Sequence, residues 1–418
     1  METSANTIKY IKKDRLLLVV VFGLVALSLI MIYSASAIMA MRNYGDSFYF
    51  LKKQIIWAVI SATAMLLISR IDMDIWKRYS FLLIAVSCIL LVLVLIPGIG
   101  SKINNARRWF RIGPISFQPS EFAKLSVIIY LSSYLIRKGE KIKELSHGFL
   151  PPLVIAGLIS GLIVVEPDFG AAFVIGAGTG IMLFIGGARL IHISSLCLAF
   201  LPVAILLVKN MEYRWNRIKA FINPWEDPSG VGYQIVQSFY SFGKGGLLGT
   251  GVGEGRQKLF FLPEAHTDFI FAVVGEELGF VGSVSVTILF IFFLWRCLKI
   301  INKHRGSFEG YLATGISLFF GIQILVNLFV VTGLFPTKGL ALPFLSFGGT
   351  SLLTNMILVG ILYAISGRST VISQMEMNGY NWKFSRKMCN LLPLNRTGKN
   401  RLTGQASSLT ESSKMLDL

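Results

Sequence analysis

Long apolar runs separated by short polar segments dominate the chain. A helix needs about 20 mostly apolar residues to cross a bilayer, and ten runs approach or reach that length. The pattern predicts an all-α integral membrane protein with ten transmembrane helices and a large outer loop, 209–277, between helices seven and eight. The predicted spans are 16–40, 54–69, 80–97, 121–136, 149–165, 169–187, 190–208, 278–298, 309–333 and 346–367.

Composition excludes most soluble classes of protein. The chain is 54% hydrophobic and 15% charged, whereas soluble domains carry about 25% charged residues. A soluble enzyme, a disordered chain and a coiled coil are therefore excluded. The first apolar run is longer than the core of a signal peptide, and further runs follow it, so we expect it to be retained.

Charge predicts the orientation of the spans. The net charge is +18, and in a membrane protein such an excess belongs to cytoplasmic loops and anionic lipid rather than to nucleic acid. The bias places residues 1–15 in the cytoplasm, 16–367 in the membrane domain and 368–418 in a cytoplasmic tail. The tail mixes Ser, Thr and Asn with Lys and Arg, which predicts disorder.

Some cations nevertheless fall on the predicted outer side. They concentrate in two segments, 98–120 and 209–277. A pyrophosphate or another anion at the outer membrane surface would attract them. The alternative is that long outer segments tolerate charge freely. The candidate cations are Lys102, Arg107, Arg108, Arg111, Lys209, Arg214, Arg217, Lys219, Lys244, Arg256 and Lys258.

The large outer loop contains its own predicted structure. Residues 211–223 and 232–242 have the pattern of amphipathic helices. A glycine-rich run follows at 243–255. Glycines permit close backbone approach to a ligand, but the Gly-Lys-Ser/Thr of a nucleotide-binding loop is missing. A flexible hinge is the other interpretation.

Two clusters of ionisable residues lie at predicted span ends. Glu121 and Lys124 are three residues apart on one helical face and can pair, either as a structural pair or in binding. Glu166 and Asp168 flank Pro167 in a tight turn. They would order a neighbouring cation or hold a divalent metal, although turn formation alone explains the Pro and Asp.

A third cluster surrounds Asp268. The run 269–275 is too short to span and predicts a separate outer helix before the span 278–298. Thr267 is a candidate N-cap, which would place Asp268 in the first helical turn. A partly dehydrated carboxylate facing a cavity is a suitable general base; the alternative is that Asp268 only caps the helix.

Together these clusters resemble the SEDS family (shape, elongation, division and sporulation), most closely its division and sporulation branch. The resemblance covers roughly 15–367. It implies a ten-span peptidoglycan glycosyltransferase that polymerises lipid II at the outer face of the cytoplasmic (inner) membrane, with a place at the division septum. The matching segments are 106–109 (ARRW), 117–124 (FQPSEFAK), 166–170 (EPDFG), 232–234 (GYQ), 262–271 (LPEAHTDFIF), 276–280 (EELGF) and 336–351 (PTKGLALPFLSFGGTS).

The resemblance also assigns roles to residues. Asp268 matches the essential acidic residue of the family, which makes it the catalytic candidate. Glu121 matches the salt-bridge partner of Lys124. The expected substrate contacts are Lys124, Arg108, Trp109, Asp168, Arg214, Arg217 and His266.

The implied chemistry needs one base and several cations. Asp268 would take the proton of the acceptor 4-hydroxyl, while cations steady the departing undecaprenyl pyrophosphate, which needs no protonation. This differs from the paired carboxylates of most glycosidases. A Mg²⁺ or Mn²⁺ ion bridging the pyrophosphate and Asp168 or Asp268 suits hard oxygen ligands; no organic cofactor is expected.

Two rival functions remain open at the level of sequence. A lipid II flippase would require essential charges on both sides of the membrane midplane, whereas catalysis requires them clustered outside. A non-catalytic scaffold would keep its activity without the Asp268 carboxylate. The partners that the resemblance implies are a class B penicillin-binding protein (a transpeptidase) and other divisome proteins.

Overall fold

The computed structural model describes residues 9–10, 13–103, 106–113, 115–209, 212–258 and 261–369. Its helices are α1 (Arg15–Tyr44), α2 (Tyr49–Ile68), α3 (Met73–Arg78), α4 (Ser80–Leu95), α5 (Pro119–Lys138), α6 (Leu150–Val165), α7 (Phe169–Ile185), α8 (Leu190–Lys209), α9 (Glu212–Ile222), α10 (Tyr233–Gly245), α11 (Ile270–Lys303), α12 (Phe308–Val331) and α13 (Gly349–Ser366). The strands are β1 (Lys9–Tyr10), β2 (Ser101–Ile103), β3 (Ala106–Ile112), β4 (Ile115–Phe117) and β5 (Arg368–Ser369).

The residue range of each predicted span overlaps a helix. The protein has the long apolar helices of a multi-pass membrane protein. Within the described residues, 6 helices are long and apolar enough to cross a bilayer. They are α1, α2, the stretch Leu145–Val165 (a π-helical turn, Leu145–Phe149, followed by α6), α11, α12 and α13. Two shorter helices, α4 and α7, are also apolar.

The centre of the bundle is formed by α5, α12 and α13, which are buried along most of their lengths. Small residues let these helices approach their neighbours closely: a Cβ added at Gly178 of α7 would lie 2.4 Å from the Phe319 ring of α12. The outer faces of α1, α2 and α4 instead expose large aliphatic side chains, which suit lipid contact. The bundle therefore buries its ionisable groups centrally.

The prediction of an all-α fold is incomplete, because β2, β3 and β4 form an antiparallel sheet between α4 and α5. Its middle strand, β3, pairs with both of the others, and the register against β2 shifts between Ser101 and Lys102. Such a bulge locally disrupts the ladder and bends the strand. A second pairing joins β1 to β5.

The helices observed in the segment 209–277 agree closely with those predicted from its sequence. The helices α9 and α10 match the two predicted amphipathic stretches. The predicted separation of a short outer helix from the following span is confirmed at Gly279, which has φ 67° inside α11 and breaks its helical backbone. The first part of α11 packs against α10.

The glycine-rich run lies directly against this break. Gly251 N donates to Glu277 O at 3.1 Å. Phe280 N donates in turn to Gly246 O at 2.9 Å. The run therefore satisfies backbone groups that the break in α11 releases, and its glycines permit the close contact of the two backbones.

A buried ion pair fixes the end of the same segment. Lys258 Nζ lies 2.7 Å from Glu277 Oε1 and 2.8 Å from Ser34 Oγ. Ser34 also donates to the Glu277 carboxylate at 2.6 Å. All three side chains are buried, so this triad connects α1, the glycine-rich run and the break in α11.

Candidate active site

Arg108 connects the sheet to the turn between α6 and α7. Its Nε donates to Glu166 O at 2.8 Å and its Nη2 to Pro167 O at 2.6 Å. A guanidinium carries five N–H donors, so these two bonds orient the group and leave further donors. The sheet thus holds a cation beside the predicted Glu-Pro-Asp turn.

Asp168 joins the starts of two helices. Its Oδ1 accepts from Ala171 N at 3.0 Å, as an N-cap of α7. Its Oδ2 accepts from Gln118 Nε2 at 3.0 Å and from Ser120 Oγ at 3.4 Å. Both oxygens of this buried carboxylate are therefore engaged, and the turn interpretation accounts for its position.

Glu166 has a different environment from Asp168. Its side chain is fully buried, and no described residue hydrogen-bonds either carboxyl oxygen. Burial and the Asp168 charge raise the pKa of Glu166 to about 8, against a smaller opposing effect of Arg108. Glu166 is therefore largely neutral at pH 7, and the turn presents less negative charge than its sequence suggests.

Glu121 and Lys124 form an ion pair near the start of α5. Lys124 Nζ lies 2.8 Å from Glu121 Oε1, and both residues are buried. Removing one partner of such a pair leaves an uncompensated buried charge. The geometry gives the pair a structural role; a contact from Lys124 to substrate stays a prediction.

The loop before α11 holds Asp268 by its backbone. Asn327 of α12 donates through Nδ2 to Asp268 O at 2.9 Å and to Leu340 O at 2.7 Å. Ser346 Oγ donates to Thr267 O at 2.6 Å. These contacts fix the loop to the segment 332–348. Sequence analysis missed Asn327 and Ser346, because their partners lie far away along the chain.

The predicted cap at Thr267 is wrong. The helix α11 begins at Ile270, and its N-cap residue Phe269 makes no side-chain cap. The Thr267 hydroxyl instead donates to Glu264 Oε2 at 2.7 Å. Asp268 consequently precedes the helix, and its carboxylate lies at the segment 332–348, where a Cβ added at Gly339 would be 3.2 Å from Asp268 Oδ2.

The electrostatics of Asp268 identify its neighbours. Burial, the Glu264 carboxylate and the Asp168 carboxylate raise its pKa, Arg217 and Arg108 lower it, and the net value is about 7. Asp168 and the two predicted arginines therefore act electrostatically on Asp268, whose carboxyl titrates near neutral pH.

Two cations are associated with the segment 332–348, which borders the Asp268 carboxylate at Gly339. Arg217 Nη1 donates to Thr337 O at 3.0 Å. Lys338 Nζ lies 4.0 Å from the centre of the Phe173 ring, and burial lowers the pKa of Lys338 to about 8. Lys338 was missed as a candidate, although the segment that contains it was recognised.

The remaining candidates have distinct environments. The His266 ring lies between Phe50 and Phe347, at 4.7 Å and 5.7 Å between ring centres. Burial lowers the pKa of His266, so the ring is neutral at pH 7 and adds no positive charge. Trp109 lies on β3, partly exposed. The side chain of Arg214 lies outside the described part of the chain.

The carboxylates of Asp168 and Asp268 suit a divalent cation whose remaining ligands come from the substrate. Mg²⁺ is usually bound by one or two carboxylates together with substrate phosphates. Asp168 lies close enough to shift the pKa of Asp268, so these two carboxylates suit that arrangement. Among the described residues, no group of three or more His, Cys, Asp or Glu side chains is arranged to hold a metal ion.

Known proteins resemble this chain over nearly its full length. The model of the cell cycle protein family FtsW/RodA/SpoVE matches residues 14–371. A probable peptidoglycan glycosyltransferase FtsW of Trichlorobacter lovleyi is 49% identical over 353 residues, 84% of this chain and 93% of that protein. The stage V sporulation protein E of Bacillus subtilis is 43% identical over 360 residues, covering 86% and 98%.

Solved structures of related proteins are similar to this chain as well. A chain of a peptidoglycan synthase complex, described as coordinating polymerization and crosslinking, superposes with a TM-score of 0.71 at 27% identity, covering 85% of this chain and 98% of that one. The rod shape determining protein RodA of Thermus thermophilus gives 0.64 at 26% identity, covering 85% and 97%. The chain therefore belongs to the FtsW/RodA/SpoVE family of cell cycle proteins.

Proposed function

We propose that the protein is a peptidoglycan glycosyltransferase that polymerises lipid II into β-1,4 glycan strands during septal cell-wall synthesis. The observation that carries this proposal is Asp268, a partly buried carboxyl with a pKa of about 7, held by its backbone beside Arg108 and Arg217. Relatives with this name cover most of the chain. One titrating base beside several cations suits a sugar transfer that expels a pyrophosphate.

The topology of the proposal has ten spans, both termini in the cytoplasm and the loop 209–277 outside. Its support is the set of helices over the predicted spans and the excess of Lys and Arg in the segments assigned to the inside. In this orientation Asp168 and Asp268 lie at the outer ends of α7 and α11, and Arg108 lies on the sheet between α4 and α5. That is the side on which a lipid-linked sugar would be polymerised.

Asp268 acts as the general base. It takes the proton of the acceptor 4-hydroxyl while that oxygen attacks the anomeric carbon of the donor. A base works best when its pKa is near the operating pH, and a pKa of about 7 meets that condition. An in-line displacement inverts the α-linked donor to a β-linked product.

Cations stabilise the leaving group. Arg108 and Arg217 are oriented by backbone carbonyls, so they need little reorganisation when charge develops on the pyrophosphate. Lys338, which precedes Gly339 in the segment that borders the Asp268 carboxylate, is a third candidate cation. Lys124 contributes less positive charge to the leaving group, because its ammonium is already paired with the Glu121 carboxylate.

A divalent cation completes the proposed site. Asp168 and Asp268 would hold Mg²⁺ or Mn²⁺, which when bound neutralises charge on the pyrophosphate oxygens. Because Asp168 already caps α7, it would approach such an ion from a fixed position.

We propose a class B penicillin-binding protein as the main partner, together with other divisome proteins. Support comes from the fold shared with a chain of a peptidoglycan synthase complex. The exposed aliphatic faces of the helices offer surface for a membrane partner. Co-purification of both proteins from membranes is the first test.

The deciding experiment uses purified protein, its transpeptidase partner and labelled lipid II. We expect glycan polymer from the wild type and none from Asp268→Asn. Asp46→Asn removes the same charge from a surface ion pair with Lys52 and should leave polymerisation intact. Undiminished polymer from Asp268→Asn would refute the base assignment. Polymer from no variant, together with lipid movement in liposomes, would favour the flippase.

A further inference from the structure

Residues 246–251 of the glycine-rich run form a turn that lies beside the start of a membrane span. Val281 N donates to Leu247 O at 3.1 Å. Val281 lies near the start of the predicted span 278–298 and follows the break in α11. We call residues 246–251 the glycine turn. Its backbone is therefore at the level of the first residues of a span, although the turn itself is not part of any predicted span.

Two leucines of the glycine turn point away from the rest of the protein. Leu247 is 72% exposed and Leu248 is 82% exposed. Two adjacent leucine side chains have little reason to face water, because apolar surface is more stable in an apolar environment. Nothing in the described part of the chain covers them, so a covering environment has to come from outside it.

The two leucines extend an exposed apolar side of α11. After the break, large exposed side chains recur at intervals of three or four residues, which is the spacing of one helical face. In a helix that spans a bilayer, such a face contacts the acyl chains. The hydrogen bond from Val281 to Leu247 joins the glycine turn to the start of this face. The exposed side chains of the face are Phe280, Val281, Val284, Ile288 and Ile291.

The backbone of the break also suits a position at membrane depth. Non-helical backbone is tolerated there only where its polar groups are bonded within the protein. The glycine turn supplies such bonds, since Thr250 N donates to Glu276 O at 3.0 Å and Gly251 N to Glu277 O at 3.1 Å. The protein itself therefore satisfies these two carbonyls, which need no water.

Charged residues flank the glycine turn on both sides. Lys244 precedes it, Glu254 and Arg256 follow it, and all three are exposed. An apolar tip between charged flanks is typical of a segment in the membrane interface, where apolar side chains enter the acyl region and charged groups stay among the headgroups. The charge pattern thus agrees with the position of the backbone.

We propose that the glycine turn inserts into the lipid bilayer, with Leu247 and Leu248 among the acyl chains of the leaflet at that end of α11. In the proposed topology this is the outer leaflet. The inference does not depend on the proposed function, because it concerns lipid contact alone. The insertion anchors to the membrane the glycine-rich run that ends before Lys258, and the segment that contains Asp268 follows that residue.

Photo-cross-linking of the full-length protein in lipid nanodiscs tests the contact directly. A benzophenone amino acid replaces Leu248, and in the control it replaces Glu254, which is exposed on the same run. Irradiation should attach phospholipid at position 248 and leave position 254 nearly free of it. Equal yields at the two positions, or no lipid at position 248, would overturn the proposal. So would an adduct with a second protein in place of lipid in native membranes, which would make the surface a protein-docking site.

Hydrogen exchange in nanodiscs measures the anchoring. Leu247→Gln/Leu248→Gln removes both apolar side chains without changing charge, and it should preserve the fold because both side chains are largely exposed. The backbone amides of the glycine turn should exchange about tenfold faster than in the wild type. Val231→Gln changes another exposed apolar residue and should leave these amides unchanged. Wild-type exchange in the double variant, or an equal increase in both variants, would contradict the insertion.

Discussion

The side-chain amide of Asn327 donates to the backbone carbonyl of Asp268 at 2.9 Å and, through the same nitrogen, to Leu340 O at 2.7 Å. Asn327 is only 2% exposed. One buried nitrogen therefore fixes the base relative to the segment that carries Gly339 and Lys338. Asn327 is a positioning residue, since it reaches the reaction only through Asp268.

Replacing Asn327 should impair the chemical step more than substrate binding. Asn327→Leu leaves two buried carbonyls without their donor and releases the loop, and a displacement of about 1 Å can cost about 100-fold in rate. We expect a large fall in kcat with a small change in KM. Asn355→Leu is the control, because Asn355 is equally buried but makes only a 3.5 Å contact with Ser351. Equal losses in both variants would contradict the positioning role.

The pKa of Asp268 predicts an acid limb in the activity. Below a pKa of about 7 the carboxyl is protonated and cannot accept the hydroxyl proton. The kcat/KM for lipid II should therefore fall tenfold for each unit of pH below that value, at constant ionic strength. A profile that stays flat through this range would exclude Asp268 as the base.

Lys338 predicts an alkaline limb. Its pKa of about 8 means that the ammonium charge is lost above that pH, which weakens stabilisation of the pyrophosphate. Lys338→Arg should move the alkaline limb upward, because a guanidinium stays protonated beyond about pH 12. Lys338→Met should lower activity at every pH. An alkaline limb that is identical in the arginine variant would rule out this role.

The break in α11 requires glycine at position 279. A Cβ there would lie 2.3 Å from Gly249 N, and its φ is 67°. Gly279→Ala should therefore lower the thermal unfolding midpoint in detergent, with a backbone cost alone of about 1–3 kcal/mol. Gly321→Ala lies in α12 with no atom within 4 Å of the added Cβ and should be neutral or stabilising. Equal midpoints would show that the break tolerates a side chain.

The buried pair Lys258–Glu277 should contribute more to stability than the exposed pair Lys52–Asp46. Both side chains are buried, so Lys258→Met leaves an unpaired buried charge, at a cost of about 3–5 kcal/mol. Lys52→Met breaks the exposed pair with Asp46 and should leave the stability nearly unchanged, because exposed ion pairs contribute little. Thermal unfolding of both variants in one detergent decides the comparison, and similar midpoints would contradict the assigned burial.

The helices were predictable because a bilayer demands long apolar runs, and each predicted span has its helix. The sheet was missed because its strands are short and because the pairs Arg107–Arg108 and Trp109–Phe110 break the alternation of polar and apolar residues that predicts a strand. The cap at Thr267 was wrong because a competing carboxylate, Glu264, satisfies its hydroxyl.

Some residues of the candidate site could be predicted from the sequence, and others could not. Asp268, Asp168 and Arg108 lie in recognisable motifs, so sequence indicated them. Asn327 sits inside an apolar helix, and its function depends on a contact 59 residues away. Only the packing of α12 against the loop reveals it, since sequence carries no direct record of which backbone carbonyl a buried amide will reach.

The triad of Ser34, Lys258 and Glu277 connects the first helix to both ends of the segment that contains Asp268. Lys258 precedes this segment, Glu277 follows it, and both side chains bond Ser34 inside the bundle. A membrane partner that tilted the first helix would therefore move both ends of the segment together, without contact to either sugar.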